Sequence, residues 1–189
     1  MAKENREDSY LGNRLLKPTN VPQQFTKEEV EEYVKCRDDI VYFLKNYVQV
    51  IHVDKGLIPF DLYDYQEDLI NTLHENRYVI VKSARQSGKS VTSLGYILHY
   101  ILFNQTKIVG MLANKASTSR ELLGRLQTAY QHLPKFLQQG IVEWNKGNIE
   151  LENGSKIIAS STSSSAIRGY SFSLLFLDEF AFVQRTIAD

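Results

Sequence analysis

A chain of 189 residues suits one domain with a short extra segment. Hydrophobic residues make up 43% and charged residues 23%, the balance of a soluble globular chain, and 22 Lys and Arg offset 22 Asp and Glu. With no net charge, no whole-chain field draws it to nucleic acid, although a local basic patch stays open. The single cysteine, Cys36, excludes an internal disulfide and favours a reducing, intracellular setting. It falls in a helical pattern and reads as a packing residue. No apolar run reaches the ~18 residues needed to span a bilayer. The charged start, MAKENREDSY, lacks the apolar core of a signal peptide. These features predict a cytoplasmic protein with no membrane partner.

Residues 1–24 are polar, contain Pro18 and Pro22 and show no period, which predicts an extended, flexible arm. FTKEEV then supplies Thr26 as a helix N-cap with Glu29 three residues on, a capping box, and helical spacing continues to about Tyr47. A turn around Asp54, Gly56 and Pro59 closes this helical segment, 25–58. The core, 59–189, begins with a short helix in which Tyr65, Leu69, Ile70 and Leu73 make one stripe; Tyr63 reads as a core residue. YVIVK, 78–82, reads as a buried strand, the loop 83–90 follows it, and an amphipathic helix follows the loop. KIVGML, 107–112, is a second strand. Thr118 and Glu121 suggest a capping box opening a helix that ends at the Leu133–Pro134 step. IVEW, NIELE and SKIIAS, separated by NKG and NG, predict an antiparallel meander. A serine-rich loop leads to SLLFLDEF, a buried strand that ends in two carboxylates. The order is that of an α/β protein with parallel strands and right-handed crossovers.

The chemistry concentrates in SARQSGKS, Ser83 to Ser90, which matches the phosphate-binding loop G-x-x-x-x-G-K-[ST] except at its first position. Such a loop aims successive backbone N–H groups at anionic oxygens from a helix N-terminus. Gly88 permits close approach and positive φ, Lys89 brings a charge to the β- and γ-phosphates, and the Ser90 hydroxyl suits Mg²⁺. GKS alone occurs often by chance; a strand before it and a helix after it make chance a small minority. In LLFLDE, Leu174 to Glu179, the acids fall at the C-terminal end of a strand, where open α/β sheets bind ligands. Asp178 would hold Mg²⁺ through water, and Glu179 would orient or deprotonate the attacking water. Upstream, Gln66 can pair with an adenine edge and Tyr65 can stack on the base. Arg85, inside the loop, can reach the γ-phosphate of the same subunit. For Arg168, in AIRGYS, two roles stay open on these grounds: a solvated surface charge, or a guanidinium presented to a neighbour's nucleotide or to DNA phosphates.

PFDLYDYQ, SARQSGKS, IVEWNKGNIELENGS, AIRGYSFS and LLFLDEFAF together resemble the N-terminal ATPase domain of the large terminase subunit, the DNA-packaging motor of myovirus-type tailed bacteriophages, over about residues 25 to 185. In that family the first loop position is often not glycine and an arginine within the loop is usual, so Ser83 and Arg85 fit it. The resemblance implies a P-loop NTPase fold of the ASCE/RecA-like kind: a parallel sheet with a small antiparallel meander. It implies adenine contact by Tyr65 and Gln66, phosphate contact by Gln86, Ser87, Gly88 and Lys89, Mg²⁺ contact by Ser90 and Asp178, and catalysis by Glu179. Arg85 matches an arginine that senses the γ-phosphate, and Arg168 an arginine finger donated to the next subunit of a ring. ATP and Mg²⁺ are the implied cofactors. The implied partners are double-stranded DNA held through its backbone, the portal protein, the small terminase subunit and further copies of the chain in a ring. The implied location is the cytoplasm of an infected bacterium, on the prohead.

Family members carry further strands after the acidic one, a coupling motif and an RNase H-type nuclease domain. This chain stops at Asp189 without them, which predicts an ATPase core incomplete at its C-terminus, as a split gene, an intein half or a truncated frame would give. The leading expectation is an ATP-hydrolysing motor segment that translocates DNA. The rivals are a helicase-type ATPase, against which the IVEWNKGNIELENGS meander speaks, and a catalytically inactive fragment that binds nucleotide or complements a second chain.

Overall fold

The computed structural model describes residues 9–52, 54–162 and 169–180. They divide into two compact units, a helical one of Gln23–Phe103 and Arg125–Leu137, and a sheet unit of the described residues through Pro22, Asn104–Gly124 and those from Gln138 onward.

The helical unit opens with α1 (Lys27–Asp38), and the predicted capping box is there: Thr26 Oγ1 accepts from Glu29 N–H and the Glu29 carboxylate from Thr26 N–H. The single helix expected to Tyr47 is two. Asp39 takes an extended backbone and its carboxylate caps α2 (Ile40–Tyr47) by accepting from Tyr42 N–H at 2.8 Å. An aspartate that bonds the chain ahead of it starts a helix more readily than it continues one. Glu32 ties the two together, accepting from Lys35 Nζ at 2.6 Å and from the hydroxyls of Tyr42 and Tyr47 at 2.8 Å each. These bonds, the lysine's first, hold its carboxyl down at about 2. The turn expected near Gly56 joins two short strands that the sequence reading missed, β1 (Gln49–His52) and β2 (Gly56–Pro59), paired antiparallel. Next come α3 (Asp64–Glu75), linked to α2 by the Lys45–Glu67 ion pair, and α4 (Lys89–Phe103). From Thr92 to Leu102, every α4 residue except Tyr100 is buried.

Cys36 and His99 lie where α1 ends against α4. Cys36 is fully buried and burial pushes its thiol up to about 12, so it packs, as expected, and carries no thiolate near neutrality. His99 Nε2–H donates to the carbonyls of Cys36 (2.9 Å) and Arg37 (3.2 Å), two of the last-turn acceptors that a helix leaves without an internal partner. Phe43 and Phe103 flank the ring. Burial pushes its pKa down to about 4.

YVIVK does not form the predicted strand. Residues 78–84 are irregular, and Ile80 is 98% exposed. Composition makes the run suitable for a sheet, but a strand exists only where a neighbour supplies the hydrogen-bond ladder, and no described strand pairs with it.

In the sheet unit, β3 (Ile108–Ala113) precedes α5 (Ala116–Gln131), whose residues are shared between the two units. The expected capping box at Thr118 fails: the Lys115 carbonyl already accepts from the N–H groups of Thr118 and Ser119, so the backbone is helical before that point. The meander follows as β4 (Ile141–Trp144), β5 (Asn148–Leu151) and β6 (Lys156–Ser161), and then β7 (Leu174–Asp178). These form one sheet in the order β4-β5-β6-β3-β7. Both turn signals hold. Asn145 Oδ1 accepts from the N–H of Gly147 and Asn148, and Gly154 takes φ +80°. β6 is antiparallel to β5 and parallel to β3, so the meander and the parallel strands are continuous. β3 is buried at nearly every position, whereas β7, expected to be buried, alternates along its length and exposes Leu175 and Leu177 on one face.

The arm predicted to be flexible is docked from residue 9. Leu16 is buried, Lys17 N–H donates to Gln138 Oε1, Ile141 N–H to the Lys17 carbonyl, and Asn20 N–H to Glu152. A polar composition weakens the drive to bury, but these backbone groups find partners at Gln138, Ile141 and Glu152. No helix among the described residues is long and apolar enough to cross a membrane.

His99 gives the helical unit an acid sensitivity. Its folded pKa lies below its ordinary value near 6.5, so its contribution is complete above that pH and is lost as the pH falls toward 4. His99→Gln keeps an amide donor for the two carbonyls and removes the titration. Urea unfolding of this variant between pH 6.5 and 4 is expected to show a stability slope shallower by about one proton per chain; an unchanged slope would contradict the assignment.

Candidate functional site

The loop that begins at Ser83 ends on α4, whose first turn holds Lys89 and Ser90. Gln86 and Gly88 have left-handed backbones, φ +61° and +75°, on either side of Ser87. Such alternation makes a concave run of backbone N–H groups. The Gly88 carbonyl accepts from both the N–H and the hydroxyl of Thr92, and the Lys89 carbonyl from the hydroxyl of Ser93, so the helix starts directly behind the concavity. First-turn N–H groups have no intrahelical acceptors, and with the helix dipole they make this end attractive to an anion. Ser87 Oγ donates to Ser83 Oγ at 3.1 Å across the loop. Here serine at the first position supplies a cross-loop acceptor that glycine would lack. Lys89 and Ser90 are half-buried; Arg85 and Gln86 are exposed.

The first turn of α3 packs against the same loop. Tyr65 donates its hydroxyl to the Ser87 carbonyl at 2.8 Å. Gln66 is 4% exposed; its Oε1 accepts from Tyr63 N–H, and its Nε2 is 2.5 Å from the place a Cβ on Gly88 would occupy. Gly88 is favoured by its left-handed φ, and the end of the Gln66 side chain lies against the place its Cβ would take. The sequence suggested Tyr65 and Gln66 for contact with an adenine base; the structure sets both against the 83–90 loop. The oxygen of Gln66 is already engaged within α3. Tyr63, expected in the core, is instead 67% exposed and lies face to face with Tyr65, ring centres 5.6 Å apart and planes 9° from parallel. It occupies the N-cap position, outside the helix, and a core assignment by helical stripe does not reach it.

The acidic half belongs to the sheet unit. Asp178 ends β7 opposite Ala113, the last residue of β3, which itself pairs with Ser161, the last of β6. Three parallel strands thus end at one edge, the edge at which open α/β sheets hold ligands. Glu179 follows, exposed and with φ +53°. A left-handed backbone on a non-glycine residue costs on the order of 1–3 kcal/mol and is found more often where geometry matters to function. Arg168 lies outside the described residues. The loop and the acidic pair fall in different compact units, and each is described within its own.

The family model for the terminase large subunit, T4likevirus-type, N-terminal, matches residues 80–188, more than half of the chain. The chain belongs to that terminase family. Among solved structures its fold is similar to the crystal structure of the HK97 bacteriophage large terminase, at 20% identity and a TM-score of 0.64, over 78% of this chain and 32% of that one. The chain therefore spans about a third of the length of the terminase it matches. The α/β architecture, with its mixed five-stranded sheet, is similar to that of the HK97 large terminase and consistent with a P-loop NTPase-like fold. The matched segment includes the 83–90 loop and the acidic strand end, while Tyr65 and Gln66 lie before it.

Two glycines separate backbone strain from mere lack of a side chain. Gly88→Ala is expected to lower the unfolding free energy by about 1–2 kcal/mol from the left-handed backbone alone. Gly124→Ala, inside α5 with nothing within 4 Å of the added carbon, is expected to raise it by roughly 0.5–1 kcal/mol. Chemical denaturation of both variants checks the opposite signs.

Proposed function

We propose that this chain is the ATP-binding and hydrolysing segment of a phage terminase motor that drives double-stranded DNA into a prohead. The observation that carries the reading is the loop over α3: a glycine squeezed against Gln66, left-handed residues around Ser87 and a helix N-terminus behind them, in a chain of the terminase family. That concavity suits the phosphates of a nucleotide. The N–H groups of Gln86 to Lys89 bind them, and Lys89 supplies the compensating charge. Ser90 and Asp178, a hydroxyl and a carboxylate, are the oxygen donors that Mg²⁺ prefers, and Mg²⁺ when bound neutralises charge developing on the transferred phosphoryl group. Glu179 orients the attacking water and takes its proton. Arg85 reaches the γ-phosphate within the subunit, and Arg168 reaches the nucleotide of a ring neighbour. Tyr65 and Gln66 supply the adenine side. In the assembled motor the partners are the portal, the small subunit and DNA gripped by its backbone, in the cytoplasm of an infected bacterium.

Lys89→Ala is expected to weaken ATP binding by the chain at least about tenfold, measured by calorimetry; an unchanged affinity removes the phosphate-loop assignment. For the acidic and arginine roles, the complete protein is needed. Glu179→Ala and Arg168→Ala subunits, each inactive alone, are expected to recover part of the hydrolysis rate when mixed, because a neighbour can supply the arginine but not the glutamate. No recovery in assemblies shown to be mixed counts against the trans role, and full turnover by Glu179→Ala alone counts against Glu179.

A further inference from the structure

We infer that Tyr65 is a positioning residue for the phosphate loop: its hydroxyl, bonded to the Ser87 carbonyl, holds the peptide between Ser87 and Gly88 in the orientation that receives an anion. The inference rests on the proposed nucleotide site and assigns a task within it. The Ser87 carbonyl and the Gly88 N–H belong to one planar trans peptide, so they point in opposite directions. With the carbonyl fixed toward α3 by the bond from Tyr65, at 2.8 Å, the Gly88 N–H is fixed away from α3.

This peptide would otherwise turn over easily. A flip alters only ψ of Ser87 and φ of Gly88, and glycine accepts either sign of φ. The flipped peptide would present a carbonyl dipole where the anion needs a donor. Gly88 takes φ +75°, a backbone that an L side chain adopts only at a cost. The loop thus favours a glycine for its left-handed backbone, and the glycine makes the neighbouring peptide free to flip. A hydrogen bond from outside the loop removes that freedom. The Ser87–Ser83 hydroxyl contact holds a side chain and does not fix the peptide plane. Tyr63, stacked on Tyr65, restrains the ring that carries the hydroxyl.

The role predicts a signature that base contact does not share. Tyr65→Phe removes one oxygen and keeps the ring, the stack on Tyr63 and any ring contact with a base. Binding of ATP and of inorganic tripolyphosphate, each with Mg²⁺, is measured by calorimetry on the wild-type chain and the variant. Both affinities are expected to fall by a similar factor, roughly three- to tenfold for one hydrogen bond, with the melting temperature unchanged to within about 2 °C. Unchanged binding of both ligands overturns the inference. A loss confined to ATP also overturns it and assigns the hydroxyl to the base. Weakening accompanied by a lower melting temperature that accounts for it makes the residue merely structural. If the wild-type chain binds neither ligand, the nucleotide-site reading fails first and this inference fails with it.

Discussion

β3 has a strand on each side, and both neighbours run parallel to it. That ladder is the constraint from which the sheet unit follows. Parallel strands generally have both faces covered, and β3 is buried at nearly every position. β6 can serve as its partner only because β6 also closes the antiparallel meander, which turns a hairpin series and a parallel core into a single sheet. β7 is held by β3 alone among the described strands, and its register puts Asp178 level with Ala113. The carboxylates at the end of β7 are placed by that pairing, not by their own chemistry.

In the helical unit the comparable constraint is contact between α3 and the 83–90 loop. The loop is short of regular hydrogen bonds, and a segment of this kind keeps one shape only if something outside it supplies partners. Tyr65 and Gln66 do this from one helical turn, the first with a hydroxyl and the second by occupying the space beside Gly88. α4 behind the loop is anchored by its own burial, and His99 joins it to the end of α1. The loop is therefore set between two helices that are each fixed by other contacts. Gln86 and Glu179 are two of the five non-glycine residues with left-handed backbones among those described.

Much was legible in the residues because some patterns report local physics. Thr26 with Glu29, NKG, NG and the SGKS-to-helix junction each specify bonds among near neighbours, and each formed as read, except that the helix after β3 began before its expected cap at Thr118. The family resemblance was legible for the same reason, since its motifs lie in the loop, the meander and the acidic strand. YVIVK and the first residues failed in opposite directions. The first has every preference for a strand but pairs with no described strand, and the second has little apolar content yet finds acceptors and donors at Gln138, Ile141 and Glu152. Neither outcome is written in the segment itself.

The sequence alone determined the family, the helix start behind the 83–90 loop and the meander with its turns, because these rest on residue types at short spacing. Tertiary structure decided which strands pair, which face of α3 meets the loop, that Tyr63 stands outside with Tyr65, and that Gln66 is shut in beneath Gly88. Those facts depend on groups far apart in the chain competing for the same hydrogen bonds and the same space, and no local pattern records who wins.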